Sequence, residues 1–114
     1  MLSKEHRLRN DKDIKTLFAK GKGVFGLLIN IKYRPNHILV SRFAVVVGTK
    51  VSKSAVVRNR LRRQISAIIF KQLKNFRPGF DVVLMPKKEA IGKKSKDFEE
   101  EIFKTLKQKT RILL

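Results

Sequence analysis

Residues 43–70 read FAVVVGTKVSKSAVVRNRLRRQISAIIF, a strand pattern followed by a helix pattern. The apolar, largely β-branched run FAVVV predicts a strand over residues 38–47 that is central in its sheet and covered on both faces. After a short loop, either Ser52 or Ser54 can cap a long helix that reaches about Asn75. The stretch therefore predicts a buried strand joined to a helix with one strongly basic face.

The segment after this helix completes a crossover unit. Pro78 and Gly79 predict a turn, and the two-sided apolar run of residues 80–85, closed by Pro86, predicts another strand. A strand, a long helix and a second strand in this order are typical of a crossover connection. A basic loop, residues 87–94, follows it.

The last helix carries charges in an order that stabilises it. Ser95 is the predicted N-cap; acidic residues occupy the first turns and basic residues the last, which complements the helix dipole. Its apolar stripe, Phe98, Ile102 and Leu106, predicts a face that packs on the sheet.

The beginning of the chain predicts one further helix and one further strand. Asn10 can cap a short helix that ends at Gly21, and the alternating apolar residues of 27–33 predict a half-buried strand. Residues 34–37 predict a turn. The pattern is thus helix, strand, strand, helix, strand, helix, and we predict a single domain over residues 1–114 with a small α+β or α/β sandwich fold.

The charge of the chain is the strongest indication of its partner. Lys and Arg number 28 against 9 Asp and Glu, a formal net charge of +19. From Ile14 to Phe80, 67 residues contain 15 Lys and Arg and no carboxylate. Such an imbalance favours a polyanionic partner, and we predict nucleic acid in preference to an anionic membrane surface.

The sequence also indicates the compartment. It contains no cysteine, which fits a reducing environment. Neither a signal-peptide pattern nor an apolar run long enough to span a membrane is found in it. We expect a cytoplasmic protein with no membrane partner.

No group of residues has the pattern of a catalytic or metal site. GKGVFG at residues 21–26 has the letters of a dinucleotide fingerprint, but it follows a predicted helix and precedes a strand, the reverse of the order that the fingerprint needs. His6 and His37 are the only histidines, and neither is paired with a partner for general acid and base chemistry. We predict no catalytic residue and no metal ligand in this chain.

The long helix is predicted to have two distinct faces. At about 100° per residue, Val57, Leu61 and Ile65 fall on an apolar stripe, whereas Asn59 falls between Arg62 and Arg63 on the opposite side. The simpler interpretation is a solvated amphipathic helix, but no nearby acid balances these arginines. Arginine matches phosphate oxygens and asparagine can contact a base edge or a 2′-hydroxyl, so RNA is favoured.

The segment KSAVVRNRLRRQI, residues 53–65, resembles the hallmark of the bacterial ribonuclease P protein component, Ala-Val-x-Arg-Asn-x-x-Lys/Arg-Arg. The stretch RLRNDKDIKTLFAKG, residues 7–21, is similar to the first helix of that family. The resemblance extends from about Leu8 to Leu106. The chain differs at Ile14, where the family usually has an aromatic residue, and at Ser66, where it often has a basic one.

This resemblance implies a fold and a set of partners. The implied fold is an α+β two-layer sandwich like the second domain of ribosomal protein S5. Its order is helix, strand, strand, strand, helix, strand, helix, with an additional short strand near Val24 and a left-handed crossover. The implied partners are ribonuclease P RNA and the 5′ leader of precursor tRNA, and no protein partner is inferred. In that family the RNA subunit and its Mg²⁺ ions perform the hydrolysis, and no protein motif binds a cofactor.

The resemblance also implies which residues meet these partners. A cleft between the first helix, the arginine helix and the sheet is expected to hold the leader through Ile14, Phe18 and Lys32. The residues expected to bind the catalytic RNA are Lys50, Lys53, Arg58, Asn59, Arg60, Arg62 and Arg63.

Two alternatives remain at this point. A ribosomal protein whose basic helix packs on ribosomal RNA would also explain the charge. An autonomous nuclease would cleave RNA without any RNA subunit.

Overall fold

The computed structural model describes residues 4–110 and 112–113. Three α-helices and four strands occur in the order α1, β1, β2, β3, α2, β4, α3, with short 3₁₀ turns at Lys4–His6, Leu73–Asn75 and Lys88–Ala90. The helices are α1 (Asp11–Lys20), α2 (Ala55–Lys71) and α3 (Ser95–Lys109); the strands are β1 (Lys22–Phe25), β2 (Ile29–Pro35), β3 (Arg42–Val45) and β4 (Phe80–Pro86). The additional strand expected near Val24 is therefore present as β1.

The four strands form one mixed sheet in the order β1-β2-β4-β3. β1 and β4 are both antiparallel to β2, whereas β3 and β4 are parallel and are connected through α2. The predicted crossover unit and the α+β class are confirmed.

The sheet has two differently covered faces. Alternate residues such as Ile31, Val82 and Leu84 face the main core, where they pack with buried residues of α2 and α3. Val83, on the opposite face, is buried with Leu17 of α1. The sheet and the α2–α3 layer form the predicted sandwich, and α1 lies across part of the other face.

β3 differs from the prediction for residues 38–47. It contains only Arg42–Val45 and lies at an edge of the sheet, so the prediction of a central strand was wrong. Its outer edge is nevertheless covered, because the Leu8 amide donates to the Phe43 carbonyl over 2.8 Å. Apolar residues on both faces of a strand indicate that both faces are covered, but they do not indicate whether the strand is central or at an edge of the sheet.

The residues before β3 form a loop. The Asn36 side chain donates to the carbonyl of Val40 and accepts from the amide of Ile38, and His37 has a φ of 61°. Leu39 is 93% exposed. The apolar residues 38–40 predicted the start of a strand, but local hydrogen bonds of the Asn36 side chain stabilise a loop there instead.

An ion pair joins β3 to β4. The Arg42 guanidinium donates from Nε and Nη2 to the two carboxylate oxygens of buried Asp81, over 2.8 and 2.7 Å. The Asp81 carboxylate also accepts from the Asn36 amide over 2.9 Å. These hydrogen bonds to Asp81 raise the pKa of Arg42 above its ordinary value.

Two helix starts follow the sequence signals, whereas α2 ends at Lys71, before the predicted Asn75, and a 3₁₀ turn over Leu73–Asn75 follows it. Asn10 caps α1 by accepting from the Lys12 amide, and Ser54 caps α2 by accepting from the Val57 amide. Ser95, the predicted cap of α3, is instead its first residue. The cap is Lys94, whose amide donates to the Asp97 carboxylate over 3.1 Å.

α3 packs as predicted and makes one unexpected contact. Phe98, Ile102 and Leu106 are all fully buried. Glu101, on the same helix, accepts hydrogen bonds of 2.7 to 2.9 Å from the backbone amides of residues 27 and 28 in the β1–β2 connection and of residue 29 at the start of β2. We call this arrangement the Glu101 clamp.

Candidate RNA interface

Helix α2 presents one apolar and one basic face, as its sequence predicts. Leu61, Ile65, Ile68 and Ile69 are buried against the sheet. Asn59, Arg60 and Arg63 are exposed, and Arg62 is half-buried. The fold therefore leaves the basic face of this helix open to a partner.

The basic face contains a shallow depression, which we call the arginine strip and which is lined by Asn59, Arg62, Arg63 and Ser66. Within it, Nη1 of Arg62 donates to the side-chain oxygen of Asn59. This contact uses the Asn59 oxygen, so the part of that side chain which can meet an acceptor is its amide nitrogen, a donor of two hydrogens. The two arginines provide further donors with the geometry that phosphate oxygens prefer.

The other predicted RNA-binding residues lie apart from the arginine strip. Lys50 and Lys53 line a second depression before α2, together with Lys88. Arg58 is directed toward this loop, since its Nη1 donates to the Ser52 carbonyl over 2.9 Å. Arg60 lies outside both depressions. The structure thus places three of the seven predicted residues in the arginine strip and three in a loop group, Lys50, Lys53 and Arg58, and leaves Arg60 apart from both.

The predicted leader residues lie on the sheet face next to α1. Nζ of Lys32 donates to the Phe18 carbonyl over 2.7 Å and lies 5.6 Å from the centre of the Phe18 ring. Phe18 is 36% exposed, so its ring remains accessible to a base. Ile14 is half-buried against the cluster of Leu8 and Leu17, and offers only part of its surface.

A groove extends from the arginine strip toward the apolar cluster against which Ile14 packs. It is lined by Arg7, Leu8, Arg9, Phe43, Ala44, Val45, Arg62 and Ser66. Arg62 and Ser66 belong to the strip as well, while Leu8 and Ala44 belong to the same apolar cluster as Ile14. An extended strand of nucleic acid can therefore run from α2 across β3 to residues 7–9, which precede α1.

Sequence reasoning missed three basic residues of these surfaces. Arg7 and Arg9 flank Leu8, a buried residue before α1, and Lys88 lies in the loop before α3. Arg7 and Arg9 could have been identified from the sequence, because they lie on either side of the apolar Leu8. Burial of Leu8 then holds both arginines at the surface beside it. Lys88 has no comparable signal, since it becomes a neighbour of Lys50 only through the tertiary fold.

The structure gives the histidines other contacts. Nδ1 of His6 lies 2.9 Å from the Ser41 carbonyl, and Nε2 lies 3.5 Å from the Glu5 carboxylate. Across residues 4–110 and 112–113, no three His, Cys, Asp or Glu side chains are grouped so that they could hold a metal ion. Within the same residues, no helix is long and apolar enough to cross a membrane.

The sequence model of the family described as Ribonuclease P matches residues 2–110. The chain belongs to this family. A ribonuclease P protein component of Synechocystis sp. is 37% identical over 101 residues, covering 80% of this chain and 74% of the relative. One of Synechococcus sp. strain JA-2-3B'a(2-13) is 31% identical over 118 residues, covering 100% and 88%.

Solved structures of the ribonuclease P protein family have the same fold. The RNase P protein from Thermotoga maritima superposes with a TM-score of 0.81 at 27% sequence identity, covering 90% of this chain and 96% of that one. These comparisons favour the ribonuclease P interpretation over the ribosomal-protein alternative.

Proposed function

We propose that this chain is the protein subunit of a ribonucleoprotein endonuclease that removes the 5′ leader from precursor tRNA. In this proposal all 114 residues act as one RNA-binding domain. The arginine strip, the loop group with Lys50, Lys53 and Arg58, and the exposed Arg60 bind the catalytic RNA. Ile14, Phe18 and Lys32 bind the single-stranded leader in the bacterial cytoplasm, where precursor tRNA is processed.

The observation that carries this proposal is the continuity of the basic surface. The arginine strip and the groove share Arg62 and Ser66, and no carboxylate is among their lining residues. The groove reaches Leu8 and Ala44 of the cluster against which Ile14 packs, and the exposed Phe18 ring lies one turn further along α1. A duplex-binding protein presents its cations to a regular groove, whereas single-stranded RNA is bound by cations together with aromatic faces. This chain offers the second combination.

The proposal assigns the hydrolysis to the RNA subunit. Two carboxylates of the fold have structural roles, since Asp81 is bound by Arg42 and Glu101 by backbone amides. Mg²⁺ is therefore proposed to act on the RNA, and the contribution of the protein is to hold and orient the leader.

Reconstitution with a bacterial ribonuclease P RNA tests this function. We expect the purified protein to stimulate removal of the leader at low Mg²⁺ concentration, and to cleave nothing when the RNA is omitted. Failure to stimulate would overturn the proposal. Cleavage by the protein alone would instead support the alternative that the chain is an autonomous nuclease.

A further inference from the structure

A basic pocket lies at the end of the sheet remote from the start of α2. It is lined by Lys20, Lys22, Tyr33, Arg34, Pro35, Phe80, Gln108 and Thr110. Its volume is about 760 Å³, which lies within the usual range for small-molecule sites. None of the residues discussed above as RNA-binding or leader-binding belongs to it.

The pocket combines aromatic rings with basic side chains. The rings of Tyr33 and Phe80 lie with their centres 6.4 Å apart and their planes tilted by 59°. Both are only partly buried. Lys22 is the cross-strand partner of Tyr33, so its side chain stands on the same face of the sheet, next to the Tyr33 ring.

The electrostatics of the pocket favour an anion. Three of its eight lining residues are basic and none is acidic. The nearest carboxylate in sequence, Asp81, is bound by Arg42 and Asn36. Within the part of the chain that the structure describes, Lys20 and Lys22 form no ion pair.

The position of the pocket separates it from the arginine strip. Because β3 and β4 are parallel, α2 begins near the carboxyl ends of these strands and returns to their amino ends. Phe80 is the first residue of β4, a strand of seven residues, which extends for about 20 Å. A ligand in the pocket is thus about one sheet length away from Asn59.

From these observations we infer that the pocket binds a nucleotide of single-stranded RNA, independently of the arginine strip. Lys20 and Lys22 contact the phosphate, with Arg34 at the rim, and the base lies against Tyr33 and Phe80. Aromatic rings beside cations are the combination by which proteins hold unpaired nucleotides, since stacking and phosphate contact then act together. The Gln108 amide offers both a donor and an acceptor to the edge of the base.

The test is a titration of the isotope-labelled full-length chain with an unstructured uridine oligomer of about four nucleotides, followed by NMR. We expect the amide signals of Lys22, Tyr33 and Gln108 to shift and saturate with a dissociation constant of their own. Lys22→Glu should raise that constant about tenfold, and Tyr33→Leu by about five- to thirtyfold. The signals of Asn59 and Arg63 should respond to the oligomer as in the unaltered chain.

The matched control is Lys74→Glu, which makes the same charge change at an exposed residue outside the pocket. It should leave the constant measured at Lys22 and Tyr33 unchanged. The proposal is overturned if the pocket signals do not shift, or if Lys22→Glu and Lys74→Glu have equal effects. Tyr33→Leu removes part of the core contact of the ring, so Lys22→Glu is the deciding variant.

A second arm identifies the source of the RNA strand. In the reconstituted complex, a defect of Lys22→Glu in binding catalytic RNA alone assigns the pocket to that RNA. A raised KM for precursor tRNA with unchanged assembly assigns it to the substrate. If Lys22→Glu caused neither defect and stimulated cleavage normally, the inference that this pocket binds RNA would be overturned. The proposed function would then remain intact.

Discussion

At the scale of single residues, Asp81 shows how a basic chain can hold a buried carboxylate. It is only 6% exposed, and both of its oxygens accept from the Arg42 guanidinium. A buried carboxylate is expensive unless charged donors satisfy it, and removing one partner leaves the other uncompensated. Arg42 also reaches Asp13 of α1 at 3.5 Å, so the pair connects three elements.

Asp81→Asn should therefore destabilise the protein by about 2–4 kcal/mol, because Arg42 loses its bidentate acceptor. Urea unfolding followed by circular dichroism measures this as a lower midpoint. Glu89→Gln makes the same charge change at an exposed residue and should stay within about 0.5 kcal/mol of the unaltered protein. Equal midpoints for the two variants would contradict a stabilising role for the pair.

At the scale of elements, α2 was the most predictable part of the chain and β3 the least. The apolar stripe and the exposed Asn59 follow from helical periodicity, and the cap, Ser54, is one of the two serines that the sequence offered. The edge position of β3 does not, because strand order depends on contacts between distant segments, here with Leu8. The placement of Lys32 and Phe18 in one cleft was expected from the resemblance alone, since no periodicity relates a strand residue to a helix residue, and their direct contact was not predicted.

Because the basic face of α2 is exposed, a substitution there should weaken RNA binding without lowering the stability of the fold. Arg63→Ala should weaken binding to ribonuclease P RNA about five- to thirtyfold, through loss of charged hydrogen bonds, with almost no change in melting temperature. Lys71→Ala, at the exposed end of the same helix, should leave binding nearly unchanged. A large fall in melting temperature for Arg63→Ala would instead mean that the arginine packs against the protein.

At the scale of the whole molecule, net charge is the property that most affects both compaction and binding. A net charge of +19 on 114 residues disfavours compaction by self-repulsion, and bound RNA relieves that repulsion. The sequence predicted this property and the class of partner. It could not predict that the cations divide into an arginine strip, a loop group and a separate pocket, since that division depends on the fold.

Binding of the full chain to RNA should consequently weaken steeply with salt. We expect the logarithm of the association constant to fall linearly with the logarithm of salt concentration, with a slope of about −0.9 per phosphate contacted on duplex and about −0.7 on single strands. Fluorescence anisotropy across a salt series measures the slope. A flat response would contradict phosphate neutralisation by these cations.

The Glu101 clamp ties together segments 72 to 74 residues apart in the chain. The amides of residues 27 and 28 lie in the β1–β2 connection, where Leu27 is 81% exposed, and that of Ile29 lies at the start of β2. Without the carboxylate, the amides of residues 27 and 28 would exchange their hydrogens with solvent rapidly. We expect them to exchange only when α3 opens, at the rate of amides within that helix. Glu101→Gln should accelerate exchange at residues 27–29 and spare β4, whereas Glu100→Gln, at an exposed neighbour, should change neither. During synthesis, the connection between β1 and β2 would then lack its hydrogen bonds to Glu101 until α3 has left the ribosome.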